Sequence, residues 1–401
     1  MKQIWKKIKA WAVMMWRPIL IFIGVALVVS TVFGFHLGSL TNGASSEEVK
    51  YVSSIKSGKE LLSNPVYSVH KIPVYILFKL NVDSIAAYRA ISAAFASLAV
   101  VSCFFILREW YTNRIALLGS WLFLTSAWIL HAGRLATPEA SFLLLMPLLW
   151  ATVWMYYTTL HKTALLLLSF LYAASFYVPG FGWLLVITAF WQHKRIWQEL
   201  KNVPWWFRVL CGLVIFAGIV PLVLAGVQAP KELLLAAGLP DTVTNLKMLL
   251  DNFFNIPEWL FLSGPNDPVR WLGRLPLLDV FSTTMLVLGI YSIRYHLEFI
   301  RVQLLVGSSM LLTLLITLGG PVTITVLMPA IYILIAGGVA FLLQQWFTVF
   351  PRNPIAKTIA TTMMSVSILL VSYYHISHYF IAWPQSPATK AAFSDKIVTK
   401  H

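Results

Sequence analysis

The chain has 401 residues, of which 59% are hydrophobic and only 11% are charged. Soluble domains carry about a quarter charged residues, and a mean hydropathy of +0.76 is too high for a surface that meets water on every side. The composition therefore predicts an integral membrane protein and argues against a division into two or three soluble domains.

The formal net charge of +15 would also suit a nucleic-acid-binding protein. The Lys and Arg residues, however, stand in short clusters between long apolar runs, a pattern typical of membrane topology and of contact with anionic lipid headgroups. We therefore expect membrane lipids, and no nucleic acid, among the partners. The two cysteines, Cys103 and Cys211, lie in apolar runs, so neither a disulfide framework nor a zinc site is expected.

The chain begins with a basic segment, residues 1–17, which we place in the cytoplasm, followed by an apolar run over 18–38. Small residues follow this run and leave a cleaved signal peptide as the alternative, but the length of the run suits a membrane span. Apolar runs along the rest of the chain predict an all-α polytopic fold with about eleven transmembrane helices. The predicted spans are 18–38, 83–107, 114–132, 139–159, 163–178, 180–192, 208–227, 277–294, 302–318, 321–343 and 358–380.

This topology gives a single transmembrane domain, 18–383, with two long outer loops at 39–82 and 228–276 and a short polar outer tail at 384–401. The short inner connections are basic, as the positive-inside rule expects. The acidic residues are divided more sharply, because 12 of the 15 lie on the outer side. Nearly every carboxylate that could do chemistry therefore faces outward.

Each long outer loop contains a predicted amphipathic helix. In the first loop, Ser45 and Glu48 have the spacing of a capping box, and apolar residues follow at near-helical intervals with lysines between them. In the second loop, Asp241 and Thr242 form a predicted N-cap before another apolar pattern. Both helices are expected to lie on the membrane surface.

A series of motifs in residues 18–160 resembles the GT-C fold glycosyltransferases that use polyprenyl-phosphate sugars, particularly the protein mannosyltransferases and the aminoarabinose transferases of lipid A. Each motif alone is weak, but together they stand in the order and spacing of the family. The motifs are Glu47-Glu48-Val49-Lys50-Tyr51, His70-Lys71-Ile72-Pro73, Tyr88-Arg89, Leu107-Arg108-Glu109-Trp110, Arg114-Ile115-Ala116-Leu117-Leu118 and Arg134-Leu135-Ala136-Thr137-Pro138-Glu139. Glu47 stands where the family has Asp, one proline is missing after Lys71, and Glu139 follows a proline that an Asp often precedes.

The resemblance implies an enzyme that transfers a sugar from a polyprenyl phosphate to an acceptor, with inversion. Such a reaction needs a carboxylate for the acceptor, cations for the leaving phosphate and an apolar groove for the lipid tail. For the carboxylate we expect Glu47 first and Glu48 second, with Glu139 assisting. The alternative is that these acids only stabilise helix N-termini.

The resemblance assigns Lys71 to the donor phosphate, and the sequence adds Arg134, Arg270 and Arg274 as further candidates. Each has a plainer alternative: an interfacial position for Lys71, an ion pair with Glu139 for Arg134, and membrane-interface anchoring for the other two. Arg89 is expected to be structural, with Asp83 as a possible partner.

No metal or other cofactor is expected. The three-residue spacing of His375 and His378 could suit a metal, but neighbouring tyrosines favour an aromatic interface belt. The expected partners are a polyprenyl-phosphate-linked sugar and a glycan, lipid or protein acceptor, with a lipid or cell-envelope glycan favoured. The expected place is the outer face of a prokaryotic plasma membrane. A lipid-linked glycan transporter or flippase, and a catalytically inactive relative, remain as alternatives.

Overall fold

The computed structural model describes residues 24–55, 57–82, 84–159, 162–242 and 244–395. Three sequence predictions lie outside these residues: the cytoplasmic segment 1–17, the beginning of the first span, and Asp83 as a partner of Arg89. Within them the fold is helical and has no β-strand, only one isolated bridge between Ala44 and Asp395.

We number the α-helices in chain order from the first described residue. They are α1 Gly24–Gly34, α2 Ser46–Ser53, α3 Gly58–Ser63, α4 Ser68–Lys79, α5 Ile85–Trp110, α6 Asn113–Thr125, α7 Ala127–Arg134, α8 Ala140–Thr159, α9 Lys162–Ser175, α10 Phe181–Trp191, α11 His193–Lys201, α12 Trp205–Gln228, α13 Pro230–Ala236, α14 Leu246–Phe261, α15 Val280–Ile293, α16 Ile300–Thr317, α17 Met328–Val349, α18 Pro354–Ser377, α19 Trp383–Gln385 and α20 Pro387–Ala392. A 3-10 turn, Ile324–Leu327, precedes α17, and a π-helical turn, His378–Ala382, follows α18.

Membrane spans account for most of this architecture. Six of the described helices, some continued by the short turns beside them, are long and apolar enough to cross a bilayer. The consecutive helices α6 and α7 make a seventh, bent by 62°. Four shorter apolar helices, α1, α9, α10 and α15, lie where further spans are predicted. A polytopic helical fold is therefore confirmed, whereas the count of eleven crossings stays a prediction.

The third predicted span, 114–132, is one span in sequence but two helices in the structure. Its N-terminal part is α6 and its C-terminal part is α7, which ends at Arg134. Ser126 separates them with φ −57° and ψ 127°, which is not helical. The bend directs α7 towards the turn that carries Glu139.

The helices divide into a central group and a peripheral group. In the span that includes α17, 72% of the apolar window is buried inside the protein, against 22% in α12 and in the span that begins with α18. The peripheral helices expose large apolar side chains such as Phe216, Val227 and Met310. An exposed apolar surface of this extent requires lipid as its solvent, which supports an integral membrane protein.

Two glycines let the central helix α17 contact α15 backbone to backbone. A Cβ on Gly289 would lie 2.0 Å from the carbonyl oxygen of Leu334. A Cβ on Gly338 would lie 1.9 Å from the carbonyl oxygen of Met285. Small residues at such crossings allow the close helix packing that membrane proteins use in place of a hydrophobic driving force.

The outer loops contain the amphipathic helices that the sequence predicts, with different boundaries. Ser45 caps α2, but a second capping box, Ser57 with Glu60, starts a separate helix α3. The N-cap predicted at Asp241 and Thr242 is wrong, because α14 begins at Leu246 and its cap is Asn245, whose side chain accepts from the Met248 N–H at 2.8 Å.

The tail after residue 383 is not only a polar extension. Trp383 and Phe393 are fully buried, with their ring centroids 5.3 Å apart. Ala44 and Asp395 form the isolated bridge, in which the Ala44 N–H donates to the Asp395 carbonyl at 2.9 Å. The tail therefore packs against the beginning of the first outer loop.

Candidate functional site

Arg270 joins three parts of the chain by ion pairs with three carboxylates. Its Nη2 lies 2.7 Å from Glu47 Oε2 in the first outer loop, and its Nη1 lies 2.8 Å from Asp267 Oδ2 in the second. Its Nε lies 3.2 Å from Glu139 Oε1, in the turn between α7 and α8. We call these four residues the Arg270 cluster. Sequence reasoning named three of them and missed Asp267.

The two candidate carboxylates of the Arg270 cluster differ in exposure. The Glu47 side chain is 48% exposed, whereas that of Glu139 is 8% exposed. Burial raises the pKa of Glu139, Arg270 opposes this rise, and the neighbouring Glu47 and Asp267 add to it. Glu139 is thus a more basic carboxylate than usual, and Glu47 is the one that an incoming molecule can reach.

Glu48 is a structural residue, contrary to its place among the predicted acceptor carboxylates. Both of its oxygens lie 2.8 Å from donors of Arg89, and the Ala136 N–H donates to Oε1 at 2.8 Å. Oε2 also accepts from the Ser45 N–H of the capping box at 3.0 Å. Because the side chain is fully buried and all these partners belong to the protein, no acceptor can approach it. Arg89 is structural as expected, but its partner is Glu48.

Arg134 is not available to a phosphate, and it does not pair with Glu139. Its guanidinium is buried and donates to the carbonyls of Val32 and Phe33 at 2.7 and 2.8 Å, and to that of Phe35. Its Nε donates to the Tyr379 hydroxyl at 3.1 Å. These carbonyls are the unpaired acceptors at the C-terminal end of α1, so Arg134 anchors that helix.

Tyr51 and His70 of the sequence motifs belong to a buried hydrogen-bond chain. The Tyr51 hydroxyl lies 2.8 Å from His70 Nδ1, and His70 Nε2 lies 2.8 Å from Ser92 Oγ. Burial lowers the pKa of His70 to about 3, so the ring is neutral. These hydrogen bonds connect α2 to α4 and α5 and thereby hold in place the helix that presents Glu47.

Lys71 follows His70 on α4 and is itself buried. Its ammonium donates to the backbone carbonyl of Asn64 at 2.9 Å and to the Asn64 side-chain oxygen at 2.8 Å. Burial lowers the pKa of Lys71 to about 8, while the carboxylate of Glu232 opposes this fall. An ammonium has three donors, so one remains for a ligand.

Tyr67 lies near Glu139 and four residues before Lys71 in the sequence. It precedes α4 in the left-handed conformation, with φ 64°, which non-glycine residues adopt at an energetic cost and often near functional sites. Burial raises the pKa of its hydroxyl and the nearby Glu139 raises it further. Its backbone carbonyl accepts from the backbone N–H of Lys71 at 2.9 Å. Tyr67 thus links Glu139 of the Arg270 cluster to the helix that carries Lys71.

The remaining candidates from the sequence, Arg274, His375 and His378, lack the contacts that a phosphate site or a metal site would need. Arg274 is exposed, and the structure shows no partner for its side chain among the described residues. His375 Nε2 lies 3.0 Å from Asp279 Oδ2, and His378 packs beside Trp271 with ring centroids 4.8 Å apart. No group of three metal-ligating side chains occurs in the described part of the chain. Both histidines are buried, whereas an interface belt would be exposed.

An apolar cavity of about 520 Å³ lies between α14, α15, α16 and α17. Phe253, Met310 and Leu334 are among its lining residues, and Thr317 lines it near the end of α16. Asn252 on α14 donates to the Thr317 carbonyl at 3.2 Å. Four residues further along, the Pro321 carbonyl accepts from the Tyr67 hydroxyl at 3.4 Å. A short stretch of chain thus connects the cavity with Tyr67.

No protein-family model matches the chain, and no curated protein matches it either. Among solved structures, the chain is similar to ArnT from Cupriavidus metallidurans in the apo state, with a TM-score of 0.51 and 13% sequence identity over 95% of this chain and 77% of that chain. The fold is GT-C-like. The same ArnT bound to undecaprenyl phosphate gives a TM-score of 0.49 and 14% identity over 94% of this chain and 77% of that chain. The GT-C-like fold expected from the motifs is confirmed.

Proposed function

We propose that this protein is a glycosyltransferase that moves a sugar from a polyprenyl-phosphate donor to an acceptor at the outer face of a prokaryotic plasma membrane. The observation that carries the proposal is the convergence of Glu47 and Glu139 on Arg270, in a GT-C-like fold whose first long loop also holds the buried ammonium of Lys71. Three chain segments far apart in sequence supply these groups, which is costly to arrange unless the arrangement has a use.

In the proposed reaction, Glu47 accepts the proton of the acceptor hydroxyl or amine. The acceptor atom attacks the anomeric carbon of the sugar from the face opposite the phosphate, which inverts its configuration. The bond between that carbon and the phosphate oxygen breaks, and the phosphate leaves with the electron pair. Lys71 is positioned to neutralise this charge, and Arg270 holds Glu47 in place through its 2.7 Å contact.

The apolar cavity between α14 and α16 is a suitable place for the polyprenyl chain. Its lining is mostly aliphatic and aromatic, and it faces the lipid side of peripheral helices. The stretch from Thr317 to Pro321 leads from it to Tyr67, near Lys71. We propose a lipid or cell-envelope glycan as the acceptor, because the described loops form no large surface for gripping a folded protein.

The test is transfer of a radiolabelled sugar by the purified full chain, using a panel of polyprenyl-phosphate sugars with membrane lipid extract as acceptor. We expect Glu47→Gln to lower the rate by roughly 10²- to 10⁴-fold, the usual contribution of a positioned base. Glu60→Gln is the matched control, since Glu60 is another exposed acid after a capping serine in the same loop. Full activity of Glu47→Gln would refute this assignment, and no transfer by wild type from any donor would refute the function.

We further propose that transfer needs no divalent cation. The Arg270 guanidinium occupies the position among Glu47, Glu139 and Asp267 that a cation would otherwise take. We expect the transfer rate to stay within about twofold of its original value in excess EDTA. A loss of activity in EDTA that Mg²⁺ or Mn²⁺ restores would contradict this proposal.

A further inference from the structure

Glu232, on the short helix α13, is a buried carboxylate that the proposed mechanism does not use. The residue is only 4% exposed, and its Oε2 has no hydrogen-bond partner among the described residues. An unpaired charge in such a position is costly, so the group must either be neutral or meet a partner from outside the chain. Its sequence context, Pro230-Lys231-Glu232-Leu233, has no recognisable motif.

The helix of Glu232 packs near the beginning of the helix of Lys71. Ala236 belongs to the same buried cluster as Val66, and Tyr67 packs against that cluster. Glu232 lies four residues before Ala236, on the same face of α13, and Lys71 lies four residues after Tyr67 on α4. Glu232 and Lys71 therefore each lie about one helical turn from the buried cluster that Ala236 and Tyr67 share.

A gap separates the two groups. Lys71 is the strongest charge acting on the pKa of Glu232, and the carboxylate of Glu232 in turn raises the pKa of Lys71. Yet among the described residues they form no ion pair within 4.0 Å. Lys71 retains one free donor beyond its two bonds to Asn64, and Glu232 retains a free oxygen. A ligand with oxygens that can bridge this gap would satisfy both.

We propose that Glu232 is a phosphate-binding residue whose protonated carboxyl donates a hydrogen bond to a non-bridging oxygen of the lipid phosphate held by Lys71. This inference rests on the proposed function, because it takes the polyprenyl phosphate as the ligand. No covalent bond changes in this step. A carboxylic acid donates to a phosphate oxygen, whereas a carboxylate at the same place repels it.

The electrostatics of the position agree with this role. Burial raises the pKa of Glu232, Lys71 and Lys231 oppose the rise, and Asp241 adds to it. The protonated form therefore persists to a higher pH than in an ordinary glutamic acid. Phosphate affinity should fall as pH rises through the raised pKa of Glu232, and fall again as Lys71 loses its proton near pH 8.

Glu232→Gln separates these two steps. Glutamine keeps the shape and a donor but cannot ionise, so the first fall in affinity should vanish while the second, due to Lys71, remains. At pH values well above the raised pKa of Glu232 we expect the variant to bind the phosphate roughly tenfold more tightly than wild type, because a negative charge beside the phosphate has been removed. At pH values below this pKa the two proteins should bind alike, because both present a neutral donor.

The experiment measures binding of undecaprenyl phosphate to the purified full chain in detergent, from about pH 5 to 9, by quenching of tryptophan fluorescence. Undecaprenol, which lacks the phosphate, reports the contribution of the tail. The phosphate itself also ionises in this pH range, and this affects wild type and variants alike. The readout is therefore the ratio of variant to wild-type affinity, from which this effect cancels. Asp251→Asn is the matched control, since it removes an exposed acid of α14 in the same loop, and it should change the ratio by less than about twofold.

The outcomes separate the inference from the function on which it rests. A ratio of Glu232→Gln to wild type that stays at one across the whole pH range would overturn the role of Glu232 and leave the donor proposal intact. Equal binding of undecaprenyl phosphate and undecaprenol by wild type at every pH would overturn both. A second variant, Glu232→Ala, guards against a folding artefact: at pH values below the pKa of Glu232 it should bind more weakly than wild type, because only the hydrogen bond is lost there.

Discussion

Glu47 and Glu48 are neighbours with opposite roles because consecutive residues of a helix point about 100° apart. Glu48 is turned inward, where Arg89 and the capping box hold both oxygens. Glu47 is turned outward, where Arg270 is its partner. The capping alternative weighed for this pair therefore holds for Glu48. Sequence could not decide between them, since the direction of α2 depends on contacts with distant residues.

At residue scale we expect Glu48→Gln to destabilise the protein without any role in the reaction. It would break a buried ion pair whose side chains are 0% and 3% exposed, which typically costs about 3–5 kcal/mol. Thermal unfolding in detergent measures this loss, and Glu60→Gln again serves as the control because Glu60 is exposed. An unchanged unfolding temperature for Glu48→Gln would show that the pair contributes little.

Two acids of the long second loop, Asp267 and Glu232, were missed by sequence reasoning. Neither belongs to a recognisable motif, and caps and turns account for most acids in loops. Their significance comes only from partners far away in sequence, Arg270 with its other carboxylates for Asp267 and Lys71 for Glu232. Arg134 shows the reverse case. Its motif is recognisable, but the backbone carbonyls that bind its guanidinium have no signature in the sequence.

Helices were easier to predict than their details. Apolar length identifies each span, so a helix occurs at every predicted position, but the break at Ser126 was not foreseen because serine is tolerated within a helix. The short polar segment before α14 contains several possible caps, and the structure uses Asn245. Hydropathy thus determines which segments are helical, while tertiary contacts determine where they bend and begin.

At the scale of elements, the contact between α15 and α17 makes a clear prediction. Gly338→Ala would place a Cβ 1.9 Å from the Met285 carbonyl oxygen, so the helices must separate. We expect a loss of about 1–3 kcal/mol, the usual cost of overpacking. Gly212→Ala in α12 is the matched control because nothing lies within 4 Å of its added methyl group. Unfolding in detergent should distinguish the two variants, and equal stability would contradict the close crossing.

At the scale of the whole molecule, the outer orientation of the site can be tested by cysteine labelling. The native Cys103 and Cys211 are buried, at 0% and 5% exposure, and should not react. A membrane-impermeant maleimide should modify Lys59→Cys on intact cells, because α3 belongs to the first outer loop. It should modify Lys194→Cys, on the opposite side in α11, only after permeabilisation. The reverse pattern would place the Arg270 cluster on the cytoplasmic side.

The bridge between Ala44 and Asp395 has a consequence for biosynthesis. Gly43, next to Ala44, lies so close to the backbone of Asp395 that an added Cβ would be 2.6 Å from the Asp395 carbonyl oxygen. The partner of Ala44 is therefore translated long after α2 itself, once all the described membrane helices have been made. The segment just before α2 can take its final backbone pairing only after Asp395 has been synthesised.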